Sequence, residues 1–262
     1  MLKLDHVTKI FGQGADDREN PRHVALADLN LHVGDGEFWC ILGPSGCGKT
    51  TLLNVVAGFE AATEGEINLD NRPIQGPGGN RVVVFQDANA ALFPWLTARQ
   101  NVEFGLKLQG VDQTRRHTIA SRYLQMVGLA DDQAKYPAQL SGGMRQRIQL
   151  ARALATEPKI LLMDEPFASL DADTRRRMHV ELLDLWQQTR NTVIFVTHDV
   201  AEAIILADRI AVLTPGPGST VKEVLSVSIP RPRDPGTPDF AHYYGRVQSL
   251  AYHGLDSANA RS

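Results

Sequence analysis

The stretch FWCILGPSGCGKTTLLNVVAG, Phe38 to Gly58, decides how the rest of the chain is read. Its first five residues are apolar without alternation, the pattern of a strand covered on both faces. Its last eight have helical spacing and stop at Gly58, a residue suited to ending a helix. Between them GPSGCGKT, Gly43 to Thr50, satisfies G-x-x-x-x-G-K-[ST] at every position. The loop Gly43, Pro44, Ser45, Gly46, Cys47, Gly48, with Lys49, Thr50 and Thr51 opening the helix, reads as a cradle for phosphate. Its glycines let backbone N–H groups converge on phosphate oxygens, and the helix N-terminus adds partial positive charge. Lys49 is placed to neutralise the β- and γ-phosphates, and the Thr50 hydroxyl to bind Mg²⁺.

A cradle specifies a nucleotide, not a reaction. Three further apolar, β-branched runs, Val82–Phe85, Ile160–Met163 and Val193–Val196, alternate with helical segments, which predicts an α/β core. ILLMDEP delivers Asp164 and Glu165 to a strand's carboxyl end, where such sheets place ligands. Asp164 suits Mg²⁺ through water, and Glu165 can face an attacking water. VIFVTHD ends another run at His198, which can reach a γ-phosphate or hold that water; its strand is expected beside the one carrying Glu165. Gln86, after RVVVF, is a neutral side chain able to bind Mg²⁺ and the water.

The periphery has other periods. Leu2, Leu4, Leu29, Leu31 and Val33 fall two apart, as in half-buried strands, and Gly12–Arg22 reads as an exposed loop. Gly65–Ile74 predicts a hairpin turning at Asp70-Asn71. Thr97–Ala138 has no strand run; Asn101–Leu108 and Ile119–Val127 are helical, with Asp112 as cap for the second. PGPGSTVKEV turns into a strand, Pro230–Pro238 reads as an extended linker, Asp239–Ala251 as a final helix and SANARS as a frayed end. The expected organisation is one domain over 1–230, with a helical insertion near 97–140, then a linker, short helix and tail over 231–262.

Bulk properties narrow the class. The 262 residues are 43% hydrophobic and 22% charged, so a packed core is expected. The net charge of −3 lacks the basic surplus of a general nucleic-acid binder. No apolar run approaches the roughly 20 residues of a membrane span, and MLKLDHVTKIFG lacks the apolar core of a signal peptide. The expectation is a soluble chain that meets any membrane through a partner. Cys40 and Cys47 fit a reducing compartment, and no Cys/His cluster has metal-ligand spacing. Because Cys47 lies inside the cradle, a bulky adduct on its thiol is expected to block nucleotide, and bound nucleotide to protect it.

LSGGMRQRIQLARAL, Leu140 to Leu154, leaves a surplus. Ser141 is a good N-cap, and Ile148, Ala151 and Leu154 form one buried stripe. Gly142 and Gly143 are not needed for such a helix.

Taken together, GPSGCGKT, Gln86, LSGGM, ILLMDE, the Ser169–Asp171 SLD and His198, in that order, resemble the ATP-binding cassette ATPases that power ABC transporters. The likeness runs from Leu2 to about Pro215. It implies an ABC-cassette P-loop NTPase fold: a mainly parallel core sheet, an N-terminal antiparallel β subdomain and an inserted helical subdomain. It also implies Glu165 as general base, His198 as switch histidine, Phe11 as the aromatic that stacks on adenine, and Asp171 as the aspartate lining the subunit contact. Ser141, Gly142, Gly143 and Met144 would face the γ-phosphate held by a second copy, in a head-to-tail homodimer with two sites. ATP and Mg²⁺ follow, as do transmembrane permease subunits and, indirectly, an extracytoplasmic substrate-binding protein. Nucleic acid is not an expected partner, and the expected location is the cytoplasmic face of the membrane.

QGPGGNRVVVFQ and LFPWLTARQNVEFGL are similar to the ATPases of taurine, sulfonate and nitrate importers. DANAALFPW is slightly longer between Gln86 and Pro94 than is usual there, and the loop at Asp16–Arg18 is longer too. Arg175-Arg176-Arg177 reads as a solvated helix face with Met178, Leu182 and Leu185 turned inward. The competing reading is a non-transport cassette ATPase of DNA repair or translation. Such proteins usually carry two cassettes, long coiled coils or zinc inserts, which this sequence lacks.

Overall fold

The computed structural model describes residues 1–12 and 22–252. Most of the loop read at Gly12–Arg22, including Asp16–Arg18, and the SANARS end lie outside the described residues. The chain divides into two units, residues 1–78 with 192–262, and residues 79–191.

The first unit begins with β1 (Leu2–Phe11), β2 (His23–Val33), β3 (Phe38–Leu42), α1 (Lys49–Ala57), β4 (Glu64–Leu69) and β5 (Arg72–Pro73). An antiparallel sheet runs β2-β1-β4-β5, with Leu2 opposite Val33 and Leu4 opposite Leu31. Leu2, Leu4, Leu29 and Val33 are wholly buried, as their alternation predicts. Asp70 and Asn71 both take positive φ, 51° and 59°, the backbone of a tight two-residue hairpin.

The second unit holds β6 (Arg81–Val84), α2 (Ala88–Ala91), α3 (Ala98–Leu108), α4 (Gln113–Met126), α5 (Gly142–Ala155), β7 (Ile160–Asp164) and α6 (Ala172–Thr189). β6 and β7 are parallel, with Val84 opposite Met163. α3 begins three residues earlier than the apolar spacing suggests. Thr97 Oγ1 accepts from the Gln100 amide (3.3 Å), and Gln100 Oε1 accepts from the Thr97 amide (2.9 Å), a reciprocal cap that starts the helix. Asp112 caps α4 through the Arg115 amide at 3.0 Å.

The first unit resumes with β8 (Thr192–Thr197), α7 (Val200–Leu206), β9 (Arg209–Leu213), β10 (Val221–Ser226) and α8 (Pro238–Tyr252). Within it the strand order is β10-β9-β3-β8, and β3 is parallel to both neighbours. Every residue of β3 and β8 is buried, which is why their sequences run apolar without alternation. The Pro230–Pro238 stretch, read as an extended linker, is anchored at Arg233. Arg233 is 8% exposed and donates to the carbonyls of Ile204, Ala207, Val227 and Ile229. Burial lowers its pKa to about 10.

Candidate nucleotide site

The cradle forms where β3 gives way to α1. Gly46 and Gly48 take φ of 75° and 90°, the left-handed region that glycine enters without a Cβ penalty. At Gly48 a Cβ would also sit 2.9 Å from the Ala25 carbonyl oxygen. The loop is thus specified twice at this position, by backbone twist and by close approach. Lys49 is 6% exposed, and its Nζ donates to the carbonyls of Gly43 and Pro44, at 2.9 Å each. The ammonium is therefore held within the loop rather than extended into solvent. Ser45, Gly46 and Thr50 are exposed, whereas Cys47 is 1% exposed.

His198 stands beside this loop. The register pairs Leu42 with Thr197, so Gly43 and His198 leave adjacent parallel strands at the same end. The His198 side chain is exposed, and its carbonyl accepts from the Tyr252 hydroxyl at 2.7 Å. Phe11, at the end of β1, is 37% exposed, with Lys9 Nζ 4.7 Å from its ring centroid.

The second unit brings the other residues together in two groups. Gln86 follows β6 and Glu165 follows β7, so with Asp164 they occupy one end of a parallel pair. Glu165 takes φ of 42°, a conformation unusual for a side-chain-bearing residue and common where sites store backbone strain. The sequence gives no sign of it.

The other group surrounds a concavity of about 400 Å³ lined by Ser141–Met144, Ser169–Asp171, Thr174 and two arginines, Arg147 and Arg177. The two motifs, nearly thirty residues apart, thus share one surface. Ser141 caps α5 through the Met144 amide at 3.3 Å, as its sequence position predicts. Asp171 caps α6 through the Thr174 amide at 2.9 Å, and that hydrogen bond holds its carboxyl below its ordinary pKa. A Cβ at Gly142 would meet nothing within 4 Å among the described residues.

Sequence reasoning missed Arg175. It does not belong to a solvated face. Its guanidinium donates to the carbonyls of Phe167 (3.1 Å) and Leu170 (2.8 Å), gripping the turn that ends at Asp171. Met178, Leu182 and Leu185 do turn inward, at 1%, 1% and 3% exposure. Nothing in an RRR run separates a clamp from a solvated arginine.

Oxygen donors suited to Mg²⁺ are present in both units: the Thr50 hydroxyl in one, the Gln86 amide and Asp164 carboxylate in the other. Among the described residues no group of three or more His, Cys, Asp or Glu is able to hold a metal alone.

A left-handed glycine cradle between a buried parallel strand and a helix defines a nucleotide-binding α/β protein of the P-loop class. The family model for ABC transporters matches residues 26–168, and the chain belongs to that family. It is 47% identical over 236 residues to the nitrate import ATP-binding protein NrtD of Synechocystis, covering 87% of this chain and 88% of that relative. It is also 47% identical over 235 residues to the bicarbonate transport ATP-binding protein CmpC of Synechococcus elongatus, covering 88% of this chain but 35% of that longer relative. Among solved structures it is similar to the dimeric post-hydrolysis state of the ATP-binding cassette MJ0796, bound to ADP and Pi. The TM-score is 0.73, with 34% identity, over 87% of this chain and 100% of that one. The chain is an ATP-binding ATPase of the ABC importer kind. No helix among the described residues is long and apolar enough to cross a membrane.

Proposed function

We propose that this chain is the ATP-hydrolysing subunit of an importer for a small anion, working as a head-to-tail dimer docked on transmembrane permease subunits at the cytoplasmic face. An extracytoplasmic binding protein selects the cargo. Taurine, alkanesulfonates and nitrate are the candidate class. The nitrate and bicarbonate relatives support a small oxyanion, and their equal identity to this chain leaves the ion to the binding protein.

Each residue then has a role. Lys49 and the backbone N–H groups of the loop from Ser45 to Thr51 hold the phosphates, and Phe11 packs on adenine. Thr50, Gln86 and Asp164 bind Mg²⁺, which supplies charge neutralisation when bound. Glu165 accepts the proton of the attacking water, and His198 orients the γ-phosphate. Phosphoryl transfer to water needs positioning and charge stabilisation more than covalent chemistry, and these residue types supply both.

The observation that carries the dimer is Gly142. It sits at the first position of α5 with open space where a Cβ would be, so this chain's packing does not require glycine there. Bare backbone at the N-terminus of a 14-residue helix, in a concavity with two arginines, suits a phosphate brought by another molecule. A second copy of the chain carries one. Ser141→Arg fills this concavity and leaves the cradle intact. It should bind ATP like the wild type while losing hydrolysis at least a hundredfold; hydrolysis at the wild-type rate would end the half-site reading. Growth of a deletion strain on nitrate, taurine or an alkanesulfonate as the only nitrogen or sulfur source identifies the cargo.

A further inference from the structure

α5 carries two stripes. Ile148, Ala151 and Leu154 form the apolar one, at 3% exposure or less. The other is polar and runs through Arg145, Gln149 and Arg152, spaced i, i+4, i+7 along one face. Arg145 donates to the carbonyls of Pro137 (3.1 Å) and Leu140 (2.5 Å), holding the approach to Ser141. Arg152 donates to the carbonyl of Ala91 at 2.7 Å, and its guanidinium lies 5.8 Å from the Phe93 ring centroid.

Gln149 lies between them, 1% exposed. Its Oε1 accepts from the Phe85 amide at 2.6 Å, and its Nε2 donates to the Phe85 carbonyl at 3.1 Å. A carboxamide is chemically a peptide group, and here it pairs with backbone as a neighbouring strand would. It does so where β6 has just ended: the pairing with β7 stops at Val84. The residue gripped is the one before Gln86. Both hydrogen bonds run to backbone, so they fix where the chain leaves the strand whatever side chain stands at 85, and Phe85 itself is 46% exposed.

We propose that Gln149 is a positioning residue for Gln86, setting the exit of its loop from the helix that Ser141 caps. Together with Arg152 at Ala91, it ties the long Gln86–Pro94 stretch to α5. A movement of α5, whose N-terminus faces the concavity, is thereby passed to the main chain beside Gln86. This rests on the role given to Gln86 above.

The test uses the full-length protein and MgATP hydrolysis. Gln149→Met keeps the unbranched volume and loses both hydrogen bonds. Gln149→Glu keeps an acceptor for the Phe85 amide and loses the donor to its carbonyl. The expected result is a kcat lowered about fivefold or more in each, the size of one or two net hydrogen bonds. The KM for ATP should stay within about twofold, because the cradle is untouched. On a Gln86→Ala background, Gln149→Met should cause no further loss, since both changes act through one side chain. If Gln149→Met does not fold, Gln149→Glu carries the same comparison. Wild-type kcat in a folded Gln149 variant overturns the proposal, and so does a loss that multiplies with that of Gln86→Ala. Wild-type turnover in Gln86→Ala alone would instead remove the role of Gln86, on which the proposal depends. Slow Gln86→Ala with normal Gln149 variants removes the positioning role only.

Discussion

Arg175 donates to the carbonyl of Leu170 at 2.8 Å, one residue ahead of Asp171, while Asp171 caps the helix that carries Arg175. The turn and the helix thus hold each other: the carboxylate starts the helix and the guanidinium returns one turn later to fix the backbone. Both contacts stabilise the rim of the concavity that Ser141 and Gly142 share.

Arg175→Met keeps the aliphatic stem and removes the donors. Three carbonyls, those of Phe167, Ala168 and Leu170, lose a charged partner, so stability should fall by about 2 kcal/mol. Hydrolysis should fall about tenfold with ATP binding to the monomer unchanged, because the cradle lies elsewhere in the chain. Equilibrium denaturation and a fluorescent-nucleotide titration read the two effects separately. Weakened nucleotide binding would show that the damage is not confined to the Asp171 turn.

Gly48→Ala attacks the cradle directly. Alanine at φ of 90° costs about 1 kcal/mol or more, and its Cβ would press on the Ala25 carbonyl oxygen, a backbone atom that cannot rotate away. ATP affinity should fall at least tenfold while the circular dichroism spectrum stays that of the folded protein. Isothermal titration with MgATP checks it, and normal affinity would contradict the loop geometry.

The cysteines offer a pH test, and here the structure changes the expectation drawn from sequence. Cys47 lies in the cradle but is 1% exposed, and Cys40 is wholly buried. Burial raises both thiols above their ordinary value of 9.0; Lys49 lowers that of Cys47 again, by less. For an acid whose folded value is raised, the stability it contributes is present below its unfolded value and lost as pH rises through the folded one. Iodoacetamide at pH 8 should therefore label the native protein far more slowly than the unfolded one. Labelling should accelerate only as the pH passes 9. Alkylation, once forced, still fills the cradle and stops hydrolysis. Mass spectrometry of labelling against time settles the rate, and fast native labelling of Cys47 at pH 8 would contradict its burial.

The motifs and strands that place the cradle were legible because their physics is local. β3 is read from apolar residues, Gly48 and Lys49 from spacing, Ser141 and Asp112 from the chemistry of helix capping. The hairpin at Asp70-Asn71 follows from two residues that tolerate positive φ. Other features were hidden because they depend on partners far away in sequence. Gln149 sits in a helix whose apolar stripe accounts for the pattern without it, and its role depends on Phe85, sixty-four residues earlier. Arg175 looks like its neighbours Arg176 and Arg177 until the turn it grips is seen. Arg233 lies among prolines that signal extended chain, yet it is buried and donates to carbonyls from two segments, the end of α7 and the residues just after β10. Positive φ at Glu165 has no signature in a residue of that type.

The central claim is that the Ser141–Met144 helix end completes a site on a second copy. Glu165→Gln should bind MgATP, turn over poorly and accumulate as a closed dimer. Analytical ultracentrifugation of Glu165→Gln, with and without MgATP, and of Glu165→Gln combined with Ser141→Arg, tests this most directly. The account predicts an ATP-dependent dimer for the single variant and a monomer that still binds ATP for the double variant. An ATP-dependent dimer that survives Ser141→Arg, or a Glu165→Gln protein that stays monomeric with ATP bound, would contradict it.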